Sequence, residues 1–179
     1  MTRAEAARQL KTFITNDINQ LLSLERGGNY AVALLITIGS EALSKLEGKA
    51  TTPTTGVFRE LVKPYGLNAA MADDLFEALR KQLAHVYDTK LLKVGRHEFG
   101  IYVGWGAYEH MSILRDRDPH GLYLNVRTMW GDFERILEDK TKQFANDHTP
   151  IPREVREATG QSIAGWRRLF DVDGGKGES

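Results

Sequence analysis

An arginine, a histidine and a tyrosine follow one another closely in the sequence, as Arg80, His85 and Tyr87. The guanidinium group of arginine carries a permanent charge and a planar fork of donors that fits a phosphate. Histidine takes up and returns a proton near neutral pH. Together they are the minimum for cleaving a phosphodiester, because RNA supplies its own nucleophile as the 2′-hydroxyl. These residue types would therefore be sufficient for cleavage of RNA without a metal ion or a cofactor.

The helix that must position these residues spans 68–88, a stretch without proline or glycine in which Asn68 can cap the start. Apolar residues recur in it every three or four positions, as expected for the buried stripe of a helix. On an ideal helix Arg80 and His85 lie roughly 140° apart, so one such helix does not direct both groups at one phosphate. We therefore expect either a departure from ideal helical geometry or a two-fold dimer in which Arg80 of one copy faces His85 of the other.

Arg80 and His85 also have a plain structural interpretation. Arg80 stands three positions after Glu77, and His85 stands three positions before Asp88. Residues at this spacing are neighbours on a helix surface and commonly form weak ion pairs. Because an arginine and a histidine five positions apart also occur by chance, the spacing alone leaves both interpretations open.

The pattern Leu-Arg-x-x-Leu-Ala-His-x-Tyr, at residues 79–87, resembles the signature of the HEPN superfamily. The resemblance covers about residues 1–145, and it implies a compact helical bundle that usually forms a homodimer. It also implies an activity, since many members are metal-independent endoribonucleases and several act as toxins or in defence against phage. Arg80 and His85 match the catalytic pair. Tyr87 matches a tyrosine that is adenylylated in one branch of the family, in which the partner is a nucleotidyltransferase antitoxin.

One position departs from the family pattern, in which a small polar residue, often asparagine, directly follows the arginine. This chain has Lys81 there. We expect a ribonuclease in which Arg80 holds the phosphate and His85 is the general acid or base, so that the product carries a 2′,3′-cyclic phosphate. The alternative, which Lys81 favours, is a HEPN-like module that binds a nucleotide, RNA or a protein without turnover. A third interpretation is a helical scaffold without a small-molecule site.

The charge balance limits where RNA can bind. The 179 residues carry 24 Lys and Arg against 24 Asp and Glu, so the formal net charge is zero and any nucleic-acid site must be a local patch. Basic residues in and after the motif form the candidate patch: Arg80, Lys81, Lys90, Lys93 and Arg96. The alternative is that the basic residues of the hairpin protect its edge from aggregation.

The chain pattern predicts a mainly α fold, a HEPN-like antiparallel helical bundle with a small β-hairpin inserted after the motif helix. We expect the HEPN-like domain to span residues 1–148, and residues 149–179 to form a terminal helix and a disordered tail. Besides the motif helix, the predicted elements are helices at 2–25, 30–47, 57–63 and 127–146, strands at 91–94 and 99–103, and a third short strand near 122–126.

Two local details of this pattern are specific enough to check. Thr2 followed by Glu5 resembles a capping box at the start of the first helix. Gly39 and Ser40, in the middle of the second and strongly apolar helix, permit the close approach of another helix. The first helix is therefore expected to begin at Thr2, and the second to pack tightly at Gly39.

Other residues give weaker indications of function than the motif does. Trp105 and Tyr108 follow the hairpin and could stack on a base, although aromatic residues there more often serve packing. The histidine–glutamate neighbours at 97–98 and 109–110 lack the spacing of a metal-binding motif, so no metal site is expected. The chain has no cysteine, no apolar run of membrane-spanning length and no signal-peptide core at its start, which predicts a cytoplasmic protein without disulfides.

Overall fold

The structure of this chain is a computed structural model, and it describes residues 1–24, 27–48, 55–80, 92–94 (backbone only) and 96–151. Five α-helices and four strands lie within these residues, so the described part is mainly helical with a small sheet, as the sequence predicts. The helices are α1 (Arg3–Leu22), α2 (Asn29–Leu46), α3 (Gly56–Val62), α4 (Ala69–Ala78) and α5 (Val126–Phe144), with a 3₁₀ turn at Lys63–Tyr65. The strands are β1 (Leu92–Val94), β2 (His97–Gly104), β3 (Ser112–Leu114) and β4 (Gly121–Asn125). The predicted terminal helix and tail lie outside the described residues, apart from 149–151.

Three helices, α1, α4 and α5, begin at side chains that cap free backbone N–H groups, and the cap of α5 is Asn125. At the start of α1 the Thr2 hydroxyl accepts the N–H of Glu5 at 3.2 Å, and the Glu5 carboxylate accepts the N–H of Thr2 at 2.8 Å. This reciprocal pair confirms the predicted capping box. Asn68 caps α4 by accepting the N–H of Met71 at 3.0 Å, so the motif helix begins where the sequence places its start.

The helices α1, α2 and α5 pack against one another in the core. Gly39 of α2 lies between them, and a Cβ atom on it would stand 2.5 Å from Cδ1 of Ile14 and 2.9 Å from Cζ of Phe133. Both distances are shorter than a real Cβ contact allows, so only glycine fits here without displacing its neighbours. The prediction that a small residue admits a neighbouring helix at this point is confirmed.

Asp73 ties the motif helix α4 to α3. The Thr55 hydroxyl donates to Oδ1 of Asp73 at 2.6 Å, Arg59 Nε donates to the same oxygen at 2.8 Å, and Arg59 Nη2 donates to Oδ2. The hydrogen bonds from Arg59, and then that from Thr55, lower the pKa of the Asp73 carboxyl below its usual value. The first half of the motif helix is therefore held against α3 by side chains as well as by its apolar face.

The sheet contains more than the predicted hairpin. β1 and β2 form that hairpin, with Leu92 opposite Phe99 in an antiparallel pair, which confirms the prediction. β4 lies parallel to β2, with Ile101 opposite Leu122, and β3 is antiparallel to β4, so the strand order is β1-β2-β4-β3. The sequence predicts neither β3 nor the parallel pairing. As a result the carboxyl ends of β2 and β4 meet at one edge of the sheet, where α5 begins.

Replacing Gly39 with alanine tests the contact between α1, α2 and α5. Alanine has the higher helix propensity, by ~1 kcal/mol, so it would stabilise an open site. At Gly39 the added methyl group overlaps Ile14 and Phe133. We expect Gly39→Ala to lower the free energy of unfolding by about 1–3 kcal/mol, as measured by urea denaturation.

Gly131 in α5 provides the matched control. No atom lies within 4 Å of the position that its Cβ would take. Gly131→Ala should therefore raise the free energy of unfolding by up to ~1 kcal/mol. If Gly39→Ala and Gly131→Ala change the free energy of unfolding in the same direction and by a similar amount, the close contact at Gly39 does not exist.

Candidate functional site

Arg80 lies directly after α4, where Leu79 and Arg80 continue the helix in the wider π form. Its Nε atom is 3.1 Å from Oε2 of Glu41 in α2. The two side chains differ in exposure, at 48% for Arg80 and 11% for Glu41. A nearly buried carboxylate therefore orients the guanidinium from one side, while much of the arginine remains open to solvent.

Glu41 is paired with two cations, one at each oxygen. Oε1 lies 2.7 Å from Nζ of Lys45, one turn further along α2, and Oε2 faces Arg80. A carboxylate that is removed from water needs such partners, because a buried charge without one is strongly destabilising. Glu41 is not among the site residues that the sequence predicts. Its signal was available, since it is the single acidic residue of an otherwise apolar helix and so called for a partner.

The described part of the chain contains only some of the predicted site. Four predicted residues lie outside it: Lys81, His85, Tyr87 and Lys90. Lys93 is in β1, of which only the backbone is described, and Arg96 is exposed in the turn that joins β1 to β2. The structure therefore gives the surroundings of Arg80 and Arg96, and the basic patch as a whole stays a prediction.

A cavity of about 710 Å³ lies at the sheet edge where β2 and β4 end and α5 begins. Its lining comes from Tyr65 in the 3₁₀ turn, residues 106–110 after β2, Asn125 at the end of β4 and Thr128 in α5. Cavities of about 300–1,000 Å³ are typical of sites for small ligands. The cavity is therefore a second candidate site.

His110 is held in this cavity as a neutral ring. Its Nδ1 accepts the backbone N–H of Asn125 at 3.1 Å. The ring of Tyr65 packs at right angles to it, with the two centroids 4.7 Å apart. Burial lowers the pKa of His110 to about 4, although the charge of Asp132 acts in the opposite direction. At neutral pH the ring is therefore uncharged, and its one proton is on Nε2.

Tyr65 is fixed through its hydroxyl group. The O–H donates to Asp132 in α5, a carboxylate that also pairs with Arg135. Burial, followed by this hydrogen bond, raises the pKa of Tyr65 to about 12. The phenol therefore stays protonated at neutral pH and holds the 3₁₀ turn against α5.

Another tyrosine supports the loop after β2. The hydroxyl oxygen of Tyr123 accepts the N–H groups of residues 106–107 at 3.1 and 3.2 Å. Tyr108 packs edge-on against Tyr123, with centroids 5.2 Å apart, and is still 37% exposed. Trp105 lies beneath Arg127 of α5, whose Cζ is 5.1 Å from the ring centroid. Both aromatic residues that the sequence singled out have packing partners, and Tyr108 also presents a free surface.

The sequence analysis considered Glu109 and His110 only as a metal-binding pair. In the part of the chain that the structure describes, no three histidine, aspartate or glutamate side chains are grouped closely enough to hold a metal ion. Nothing in the local sequence shows that His110 meets Asn125 and Tyr65, because these residues are brought together by the sheet and by the 3₁₀ turn. This site could be found only from the tertiary structure.

Comparison with known proteins gives no relative for this chain: no family model, no curated protein and no solved structure matches it. Across the described ranges no helix is both long enough and apolar enough to cross a membrane. Function is therefore inferred from the residues of the chain itself.

The buried, neutral His110 should make the protein less stable at low pH. Its folded pKa is about 4, against an ordinary value of 6.5, so below pH 6.5 the unfolded state takes up a proton that the folded state does not. The contribution of His110 to the free energy of unfolding is fully present above pH 6.5 and is lost progressively as the pH falls toward 4. We expect a loss of ~1–2 kcal/mol from this group between pH 6.5 and 4.5.

His110→Asn removes the titration and is the variant to compare. Asparagine can still offer an acceptor to the N–H of Asn125 near the position of Nδ1. The quantity to compare is the slope of the unfolding free energy against pH, because the substitution also changes packing. The slope should be flatter in the variant between pH 4.5 and 6.5, and an unchanged slope would show that His110 is not buried as a neutral ring.

Proposed function

We propose that this protein is a metal-independent endoribonuclease of the HEPN type, with Arg80 and His85 as its catalytic pair. The observation that carries the proposal is the geometry of Arg80. Its guanidinium is oriented by Glu41 through Nε at 3.1 Å, while the side chain remains about half exposed. A guanidinium held in this way loses less freedom when a phosphate binds to its remaining N–H groups, so it is suited to hold one.

The helix departs from the ideal α form at Arg80. Leu79 and Arg80 are in a π turn, the helical form with hydrogen bonds between residues five positions apart. Residues at that spacing come to nearly the same face, whereas an ideal α-helix separates them by roughly 140°. His85 stands five positions after Arg80. Such turns are frequent at functional sites, which supports a role for Arg80, and the direction of His85 is part of the proposal.

In the proposed reaction the 2′-oxygen attacks the adjacent phosphorus while His85 takes up the hydroxyl proton. The bond from phosphorus to the 5′-oxygen of the next nucleotide breaks, and that oxygen leaves as a hydroxyl after it gains a proton. The products end in a 2′,3′-cyclic phosphate and a 5′-hydroxyl. Arg80 stabilises the negative charge that develops on the phosphate oxygens.

The proposal includes the partners that the motif implies. The RNA backbone binds to the basic patch formed by Arg80, Lys81, Lys90, Lys93 and Arg96. A second copy of the chain completes a homodimer. Tyr87 positions the RNA or serves as a regulatory site, which a nucleotidyltransferase antitoxin adenylylates.

A non-catalytic module is the second candidate function. Two observations favour it: Lys81 stands where active HEPN proteins have a small polar residue, and Glu41 offsets part of the positive charge of Arg80. In this case the basic helix and hairpin bind a nucleotide, RNA or a protein and nothing is cleaved. The two candidates differ in one measurable property, which is turnover of RNA.

Cleavage of a mixed-sequence single-stranded RNA in the presence of a chelator tests the enzyme. We expect the wild type to cut it, and His85→Ala to be slower by at least ~100-fold, because general acid–base catalysis contributes about 10²–10⁴ in rate. The new 3′ ends should be 2′,3′-cyclic phosphates. Circular dichroism and thermal unfolding should first show that both proteins are folded.

Three outcomes would count against this assignment. RNA binding without cleavage by the folded wild type would leave the non-catalytic module as the function. Equal cleavage by the wild type and by His85→Ala would exclude His85 from catalysis. Cleavage that stops in the chelator would contradict a metal-independent reaction.

Glu41→Gln tests whether the carboxylate orients Arg80. Losing a hydrogen bond between charged groups should slow cleavage about 10-fold. Lys45→Ala is the matched control, because it removes the other cation of Glu41 from an exposed position and leaves Arg80 paired. If the two variants cleave RNA at the same rate, Glu41 does not position Arg80.

A further inference from the structure

The cavity beside His110 contains hydrogen-bond donors that the fold itself does not use. Oδ1 of Asn125 accepts the N–H groups of Arg127 and Thr128 at 3.1 and 3.3 Å, which leaves its Nδ2 for a ligand. That nitrogen lies beside Gly106, where a Cβ atom would stand 3.3 Å from it. His110 accepts a hydrogen bond at Nδ1, so its ring can donate only from Nε2. The cavity therefore offers two donor nitrogens, Nδ2 of Asn125 and Nε2 of His110.

Glu109 supplies an acceptor to the same cavity. Its side chain is exposed, lines the cavity, and has no ion pair or hydrogen bond within the described residues. None of the described residues that line the cavity is a lysine or an arginine. No residue of the described lining therefore neutralises the carboxylate, and the cavity suits a ligand with N–H donors rather than a bare phosphate.

Tyr108 supplies a flat apolar surface. Its ring packs edge-on against Tyr123, which holds it from one side. It is nevertheless 37% exposed. Exposed tyrosine rings of this kind are the surfaces on which proteins stack unpaired nucleobases.

We infer that this cavity binds a nucleobase and prefers guanine. The Watson–Crick edge of guanine presents two neighbouring N–H donors, which the Glu109 carboxylate can accept as a pair of charge-assisted hydrogen bonds. Beside them is a carbonyl oxygen, which can accept from Asn125 or His110. Adenine presents one amino group next to a ring nitrogen, and the lone pair of that nitrogen would face the carboxylate. The smaller pyrimidines have less surface to stack on Tyr108.

This inference goes beyond the proposed cleavage of RNA and does not use it. Arg80 is not among the residues that line the cavity. The base can belong to a free nucleotide or to single-stranded RNA, since the hydrogen bonds are the same in both. On a ribonuclease such a site would select RNA that contains an unpaired guanine, and on a binding module it would be the binding site itself.

Isothermal titration with 5′-GMP, 5′-AMP, 5′-CMP and 5′-UMP tests the site in the wild-type protein. We expect GMP to bind at least ~10-fold more tightly than each of the others, which corresponds to about 1.4 kcal/mol. Glu109→Gln should lower the affinity for GMP at least ~10-fold, to a value close to the affinity for AMP. Tyr108→Ala should lower the affinities for GMP and AMP by similar factors, because both purines stack on the tyrosine ring in the same way.

Two further variants serve as controls. Glu98→Gln makes the same change at an exposed glutamate of β2 that does not line the cavity, and it should bind GMP like the wild type. His85→Ala should also keep its affinity for GMP. If RNA cleavage is absent while GMP binding is intact, only the proposed nuclease fails.

Several results would overturn the inference. They are AMP binding as tight as GMP binding, unchanged GMP affinity in Glu109→Gln, and no binding of any nucleotide at millimolar concentration. A short single-stranded RNA with one guanosine, compared with GMP, identifies the source of the base. Tighter binding of the RNA assigns the base to RNA, tighter binding of GMP assigns it to a free nucleotide, and both support a guanine site.

Discussion

The close contact of three helices at Gly39 is the constraint on which the rest of this structure depends. Because glycine has no side chain, α1 and α5 come near α2 there, and Ile14 and Phe133 occupy the space that a Cβ atom would need. The contact leaves α2 little surface for polar groups. Its buried hydroxyl groups accordingly donate to carbonyl oxygens of the preceding turn of the same helix.

This burial of α2 explains the geometry of Arg80. Glu41 stands two positions after Gly39, and a carboxylate there is stable only with charged partners. Lys45 provides one of them from the same helix, and Arg80 provides the other from the end of α4. Because Asp73 also fixes α4 against α3, the contact of Arg80 with the nearly buried Glu41 joins two helices that are far apart in the chain.

The second candidate site follows from the parallel pairing of β2 and β4. Parallel strands place their carboxyl ends at the same edge, so the loop after β2 meets the start of α5 there. Tyr65 lies in the 3₁₀ turn, far from these strands in the sequence, and its hydroxyl donates a hydrogen bond to Asp132 of α5. Together they bury His110 enough to lower its pKa to about 4, which makes the imidazole a neutral donor in a cavity whose described lining includes the Glu109 carboxylate.

The sequence by itself determined the parts that depend on near neighbours. The caps at Thr2 and Asn68, the hairpin and the tight packing at Gly39 all follow from local spacing or from residue size. It also singled out Arg80 and His85 from chemistry, and the roles of both stay predictions. Only the tertiary structure decided that Arg80 meets Glu41 and that His110 meets Asn125. No periodic pattern encodes such pairs, because their members are far apart in the chain and are joined by the packing of the core.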